Sequence, residues 1–327
     1  MDFSIIPYVN LSGPALPMNP WPALANKAFC LKFNSGETIF YYDAEPSNIN
    51  KQQGSASPNA PVFVLIHGLG DEADTWRHLI PLLNSHGFRV LAIDLPGFGR
   101  SITLDRINLK NHARTVERLI EAVIGPLGSG KSIFLAGSSM GAVVAEIVAF
   151  NSRPGAVKGL VLLDGTAPGG PKSPGIITMA RLLFSRKWYR AYRTNPEGAW
   201  ASLYPYYADL DAMPQADKDF LRARVMARVE SPTQEDAFFA TQQSVAGIFL
   251  NGISWYKRQI PLFKGKILLI WGEKDNIIPL ASVNAFRYLR PDAGLELIPG
   301  AGHLPHQEKP AETAMIMADF TVNSIKE

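Results

Sequence analysis

Apolar residues along this chain recur in two rhythms. Short unbroken apolar runs, bounded by Gly, Pro, Asn or Asp, predict buried strands over residues 61–66, 88–93, 132–136 and 157–163. Between them, apolar positions recur with helical spacing over 72–85, 105–124 and 142–151. A strand that is apolar on both faces needs cover on both faces, so the alternation predicts an α/β fold: a mostly parallel sheet with helices on either side. Ahead of it, residues 28–33 and 38–43 flank the turn Asn34-Ser35-Gly36 and predict a hairpin. The stretch 44–60, rich in Ser, Asn, Gln and Pro, predicts a surface loop.

The rhythm stops at Gly165, where GTAPGGPKSPG opens a segment with helical patches and no convincing strand. It resumes with a strand over 266–271, a helix over 280–289, a strand over 295–298 and a last helix over 311–322. The expected organisation is a core formed by residues 1–165 and 258–327, interrupted by a helical cap insertion over 166–257. That insertion holds 14 of the chain's 33 aromatic residues in 92 positions. Such a cap would offer an apolar pocket, although a small helical unit also needs aromatics for its own core.

Composition narrows the functional classes. With 46% hydrophobic and 19% charged residues the 327-residue chain is not a disordered one. Lys and Arg total 32 against 29 Asp and Glu, and a net charge of +3 is too small to make nucleic acid an expected partner. A single cysteine, Cys30, excludes an internal disulfide and any multi-cysteine metal site, which fits a reducing compartment. The N-terminus lacks early Lys or Arg and its apolar run is broken by Pro7, so no secretory signal is expected, and the sequon at Asn10 is expected to stay unmodified. No run reaches the roughly 18 apolar residues of a membrane span. The expected location is cytoplasmic.

The candidate chemistry begins at Gly137-Ser138-Ser139-Met140-Gly141, a G-x-S-x-G pattern between an apolar strand and a helix pattern. A sharp strand-to-helix turn there would lift Ser139 above the sheet edge. A serine hydroxyl is a poor nucleophile without a base, and the base needs an orienting partner. His303 lies in a glycine-rich loop after the last strand, with His306 as its near rival; His78, His86 and His112 are expected to be solvated on helices. For the acid, Asp275 follows the strand over 266–271, and Asp164, ending the strand GLVLLD, is the alternative. His67-Gly68-Leu69-Gly70 follows the first parallel strand, so the backbone N–H of Leu69 and that of Met140 are the candidate donors to an oxyanion. The stretch Gly125 to Ser132 matches the phosphate-binding G-x-x-x-x-G-K-S pattern, but a helix precedes it and a strand follows, the reverse of what phosphate binding requires.

Taken in order, HGLG, DLPGFGRS, GSSMG, WGEKDNIIP and GAGHLPHQEKP, running from His67 to Pro310, resemble the α/β-hydrolase fold superfamily. The resemblance implies that fold, with the chain order Ser139, Asp275, His303 for its catalytic residues, and no cofactor or metal. Epoxide hydrolases and dehalogenases of the superfamily carry an aspartate at the elbow, where this chain has Ser139. The implied activity is that of a carboxylesterase acting on a small-molecule ester with a hydrophobic acyl or alcohol group. A carbon–carbon bond hydrolase, a cofactor-free perhydrolase and a ligand receptor on the same fold are the alternatives. Oligomeric state stays open.

Overall fold

The central strands form where the apolar runs were found, because both of their faces are covered. The computed structural model describes residues 3–8, 18–46, 60–166, 186–248 and 253–326. The sequon at Asn10, most of the polar stretch 44–60 and the Gly- and Pro-rich residues 167–175 lie outside them.

The strands are β1 (Phe3–Pro7), β2 (Ala28–Phe33), β3 (Thr38–Ala44), β4 (Val62–Ile66), β5 (Arg89–Ile93), β6 (Ile133–Ser138), β7 (Gly159–Leu163), β8 (Lys266–Gly272) and β9 (Gly294–Ile298). They build one sheet in the order β1-β2-β3-β5-β4-β6-β7-β8-β9. The pairings from β1 to β5 through β3 are antiparallel, and those from β5 through β4 to β9 are parallel. β1 was not expected. It is an edge strand, largely exposed, so it shows no buried run, and its Pro7 is tolerated at the strand end where the ladder stops.

Successive strand residues feed alternate layers, as the two-residue period requires. Val64, Ile66 and Leu135 pack with Leu119, Ile120 and Val144 of the helices Leu109–Val123 and Met140–Asn151. Phe63, Leu65 and Phe134 pack on the other face with Leu79, Leu83 and Met317 of the helices Leu79–Ser85 and Pro310–Lys326. The helix expected over 105–124 starts at Leu109, because the Asn108 side chain caps it by accepting the Asn111 N–H at 2.9 Å. The helix expected over 72–85 is divided into a 3-10 turn, Ala73–Trp76, and the helix Leu79–Ser85. The Gly125 to Ser132 stretch joins a helix to β6, with Gly125, Gly128 and Gly130 at positive φ, and is a turn.

Between β7 and β8 lies a helical insertion, including Gln215–Glu230 and Pro232–Gly247, with no strand among the described residues. Its aromatics divide: Trp200 and Tyr207 form a small cluster of their own, while Tyr256 joins the main core and Phe238 packs against it. No helix among the described residues is long and apolar enough to cross a membrane.

Charged groups join insertion and sheet. Arg100 is buried between Asp94 (2.8 Å) and Asp74 (2.6 Å), with its guanidinium 3.5 Å over the Phe40 ring. From the insertion, Arg224 reaches Asp74 at 3.2 Å, Arg228 reaches Asp71 at 2.6 Å and Glu72 at 2.9 Å, and Asp217 receives Arg77 at 2.6 Å. Burial alone would raise the Glu72 carboxyl, but Arg228 and Arg224 outweigh it and hold its pKa at about 2. Removing one partner of a buried pair leaves an uncompensated charge, so Arg100→Ala should cost about 3–5 kcal/mol of stability. Urea denaturation of the variant checks this, and a loss below about 1 kcal/mol would show that Arg224 alone compensates the carboxylates.

Candidate active site

β6 ends at Ser138 and the next helix begins at Met140, leaving Ser139 at φ 54 and ψ −118. A non-glycine residue there costs on the order of 1–3 kcal/mol and persists only if its surroundings enforce it. They do. The Ser139 N–H donates to Leu163 O at 2.8 Å. A Cβ on Gly137 would lie 2.2 Å from Gly141 O, and one on Gly141 would lie 2.2 Å from Ile66 O, so only glycine fits two residues to either side. Ser138 is buried, whereas Ser139 is only half-buried and open to a reactant. The Met140 N–H lies in the first turn of its helix, where backbone donors have no intrahelical partner.

His303 and Asp275 meet across neighbouring loops. β8 and β9 pair directly, and Lys274 N–H donates to Ala301 O at 2.8 Å, drawing the loop after β8 against the loop after β9. His303 Nδ1 lies 2.9 Å from Asp275 Oδ2. Asp275 Oδ1 accepts the N–H groups of Ile277 (2.7 Å) and Ile278 (3.1 Å), which fixes the carboxylate. With a carboxylate at Nδ1 the ring proton sits there, and Nε2 keeps its lone pair. Asp164, the alternative acid, is fully buried at φ 46, and its Oδ1 accepts the Gly272 N–H at 2.8 Å. It makes no hydrogen bond to His303 among the described residues. One atom each of Asp164, Asp275 and His303 lie within 4.8 Å of one another. The His303–Asp275 bond already occupies the nitrogen and one oxygen, so this cluster reads as a hydrogen-bonded acid–base group rather than a cation site.

His67 orders the neighbouring loop. Its Nε2 accepts the Leu95 N–H at 2.9 Å, so its proton is on Nδ1, which donates to Gly68 O at 2.8 Å. Across a trans peptide the C=O and N–H point in opposite directions. Holding the Gly68 carbonyl toward the ring therefore turns the Leu69 N–H away from it. A Cβ on Gly68 would lie 3.4 Å from that of Ser139, so this peptide passes directly beside the elbow. Sequence reasoning gave His67 no such task.

Contributions from the insertion were also missed. The His303 N–H donates to Tyr206 O at 2.8 Å. Glu308 joins the same seam, with Oε2 accepting the Gly302 N–H (2.7 Å) and Oε1 accepting the Ala208 N–H (2.8 Å). Nothing local in EKP signals this, because Ala208 is 100 residues away in the chain. His306 is engaged elsewhere: it is buried against Trp76, with Nε2 2.9 Å from Thr75 Oγ1. The expectation of a solvated His112 is corrected. It occupies the inner face of its helix, fully buried, with Nε2 2.9 Å from Thr241 Oγ1. His78 is half-buried against Asp217 at 2.7 Å, and His86 is exposed.

A half-open serine on a glycine-walled elbow and a hydrogen-bonded Asp–His pair, both at the carboxyl edge of a mostly parallel sheet, define a class of α/β enzymes. The chain belongs to the alpha/beta hydrolase family, whose model matches residues 63–316. It is 29% identical over 276 residues to a pimeloyl-[acyl-carrier protein] methyl ester esterase from Methylococcus capsulatus, covering 82% of this chain and 97% of that one. It is 26% identical over 328 residues to epoxide hydrolase B of Mycobacterium tuberculosis, covering 80% and 91%. The fold also matches an esterase from Exiguobacterium antarcticum with a TM-score of 0.68 at 15% identity, covering 89% and 98%.

The two buried histidines make a pH prediction. Burial lowers the pKa of His112 and of His306 to about 3. The unfolded chain, with histidines near their ordinary value of 6.5, binds more protons below that pH. Stability should therefore be fully present above pH 6.5 and fall as the pH drops toward 3, by about 2 kcal/mol per histidine between pH 6.5 and 5. Urea unfolding at the two pH values, on wild type and His306→Gln, measures the difference; an equal pH dependence in both proteins would contradict it.

Proposed function

We propose that this protein hydrolyses carboxylic esters through an acyl-enzyme on Ser139. The observation that carries the reading is the 2.9 Å bond from His303 to Asp275, which orients the imidazole, at the same carboxyl edge of the sheet as the half-open Ser139 elbow. His303 takes the serine proton through Nε2 as Oγ attacks the ester carbonyl, and returns it to the departing alcohol oxygen. Water, deprotonated by the same nitrogen, then cleaves the acyl-enzyme. Asp275 orients the imidazole and stabilises its charged form, and the N–H groups of Leu69 and Met140 hold the oxyanion through both steps.

On this reading residues 1–165 and 258–327 are the catalytic core and 166–257 its cap. Phe238 of the insertion stands against the loop of Leu69, since a Cβ on Gly70 would lie 3.1 Å from its ring, and the ring centroids of Tyr206 and His303 are 5.8 Å apart. Aromatic surface therefore borders the site from the insertion side, which supports a small-molecule ester with an apolar acyl or alcohol group. Esterase and lipase relatives support the reaction class, the lipase from Psychrobacter immobilis at 25% identity. The epoxide hydrolase likeness is set aside because the elbow carries Ser139 in place of an aspartate. A cytoplasmic setting fits Cys30, which is buried and unpaired.

Ser139→Ala should lower kcat for an activated ester on the order of 10⁶-fold without loss of fold. A fluorophosphonate adduct mapped by peptide mass spectrometry should lie on Ser139; label on Ser138 would reassign the nucleophile. Asp275→Asn should lower kcat by about 10⁴, and Asp164→Asn by much less. The opposite ranking in two folded variants would transfer the acid role to Asp164. Across a panel of esters, kcat/KM should rise from acetyl to longer acyl chains at roughly 25 cal/mol per Å² of apolar surface buried. Activity confined to acetyl esters would defeat the apolar pocket.

A further inference from the structure

The proposed mechanism gives Asp164 no task, yet its surroundings are unusual. It follows β7 in a left-handed conformation that few non-glycine residues adopt, and it is fully buried. Its Oδ1 accepts the Gly272 N–H, while its Oδ2 meets no hydrogen-bond donor among the described residues. An oxygen of Asp164 nevertheless lies within 4.8 Å of both an Asp275 oxygen and a His303 nitrogen. An orphaned acceptor beside a carboxylate in a dry pocket is tolerable only if a proton lies between them.

Which acid holds that proton follows from their partners. Asp275 receives three donors, the N–H groups of Ile277 and Ile278 and Nδ1–H of His303, and all three favour its anion. Asp164 receives one. The charged groups that act on it are Asp275 and Glu308, both of which favour its neutral form, and His303 also faces it, with a nitrogen within 4.8 Å of an Asp164 oxygen. Burial, followed by the charge of Asp275, pushes its carboxyl well above the usual range.

We propose that Asp164 stands as a neutral carboxylic acid that donates its proton as a hydrogen bond to the Asp275 carboxylate, and so serves as a positioning residue for the His303–Asp275 pair. The pair of acids carries one negative charge, as two carboxylates forced together do. The donated hydrogen bond steers the Asp275 carboxylate toward Nδ1. This inference rests on the reading of Ser139, His303 and Asp275 given above.

Infrared difference spectroscopy tests the proton directly. At neutral pH, wild type minus Asp164→Asn should show a protonated-carboxyl band that shifts in D₂O; its absence overturns the proposal. If Asp164→Asn does not fold, the band in wild type minus Asp275→Asn serves instead. It should move, because its acceptor changes from carboxylate to amide, and an unmoved band overturns the hydrogen bond. A second readout is the pH dependence of fluorophosphonate labelling at Ser139. With a neutral Asp164, Asp164→Asn keeps the midpoint of the acid limb, since an amide donates in place of the acid. Loss of an ionised carboxylate would instead lower the midpoint, because a negative charge would be removed from the site. That result also overturns the proposal. A wild type that shows the band but takes no label on Ser139 supports the neutral acid and defeats the esterase reading, so the two fail separately.

Discussion

The close approach of three backbones at the end of β6 governs the arrangement of this site. Ser139 keeps its φ of 54 because the ends of β4 and β7 press on the turn from either side: Gly141 lies against Ile66 O, and the Ser139 N–H is tied to Leu163 O. Gly165 completes the enclosure, since a Cβ there would lie 2.3 Å from Ser139 O. These contacts are possible because β4, β6 and β7 are adjacent and parallel, so their carboxyl ends finish at one edge. The loops that deliver Leu69, Asp164, Asp275 and His303 leave the same edge for the same reason. Sheet topology, fixed by burial of apolar runs, thus assembles a polar site from residues more than 200 positions apart.

A second constraint is the burial of charge between sheet and insertion. Arg100, Asp74 and Asp94 would be costly alone in the interior, and are acceptable because each meets an opposite charge with good geometry. Arg224 and Arg228 extend that network from the insertion helix Gln215–Glu230 to the loop that follows Leu69. The same residues that dock the insertion therefore hold the loop of the proposed oxyanion donor.

The central parallel strands and their covering helices were legible because each carries a repeating apolar signal. β1 was not, because an exposed edge strand has no buried run to show. The candidates Ser139, His303 and Asp275 came from local motifs, and the structure brings His303 and Asp275 together. Which aspartate would bond His303 was not legible, since β7 and β8 are neighbours and their loops end at the same place; in the structure the His303 ring bonds Asp275. His112 was misread because a polar residue on a helix suggests solvent, and the Thr241 hydroxyl that satisfies it lies 129 residues away. The ion pairs of the insertion were invisible for the same reason: Arg228 and Asp71 are 157 residues apart.

These distant contacts bear on how the insertion can work. Tyr206 lends its carbonyl to the His303 N–H, Glu308 bridges Gly302 and Ala208, and Arg228 holds Asp71 and Glu72. Residues 206–228 of the insertion are in this way bonded to both the loop of the proposed base and the loop of the proposed oxyanion donor. Displacing them would break these ion pairs and release His303 from its backbone anchor. Substrate that entered by lifting this part of the insertion would dismantle the site it was meant to reach. The helix Gln215–Glu230 is therefore tied to the loops of the proposed site by its own side chains, and in the proposed mechanism it acts as part of their support rather than as a removable cover.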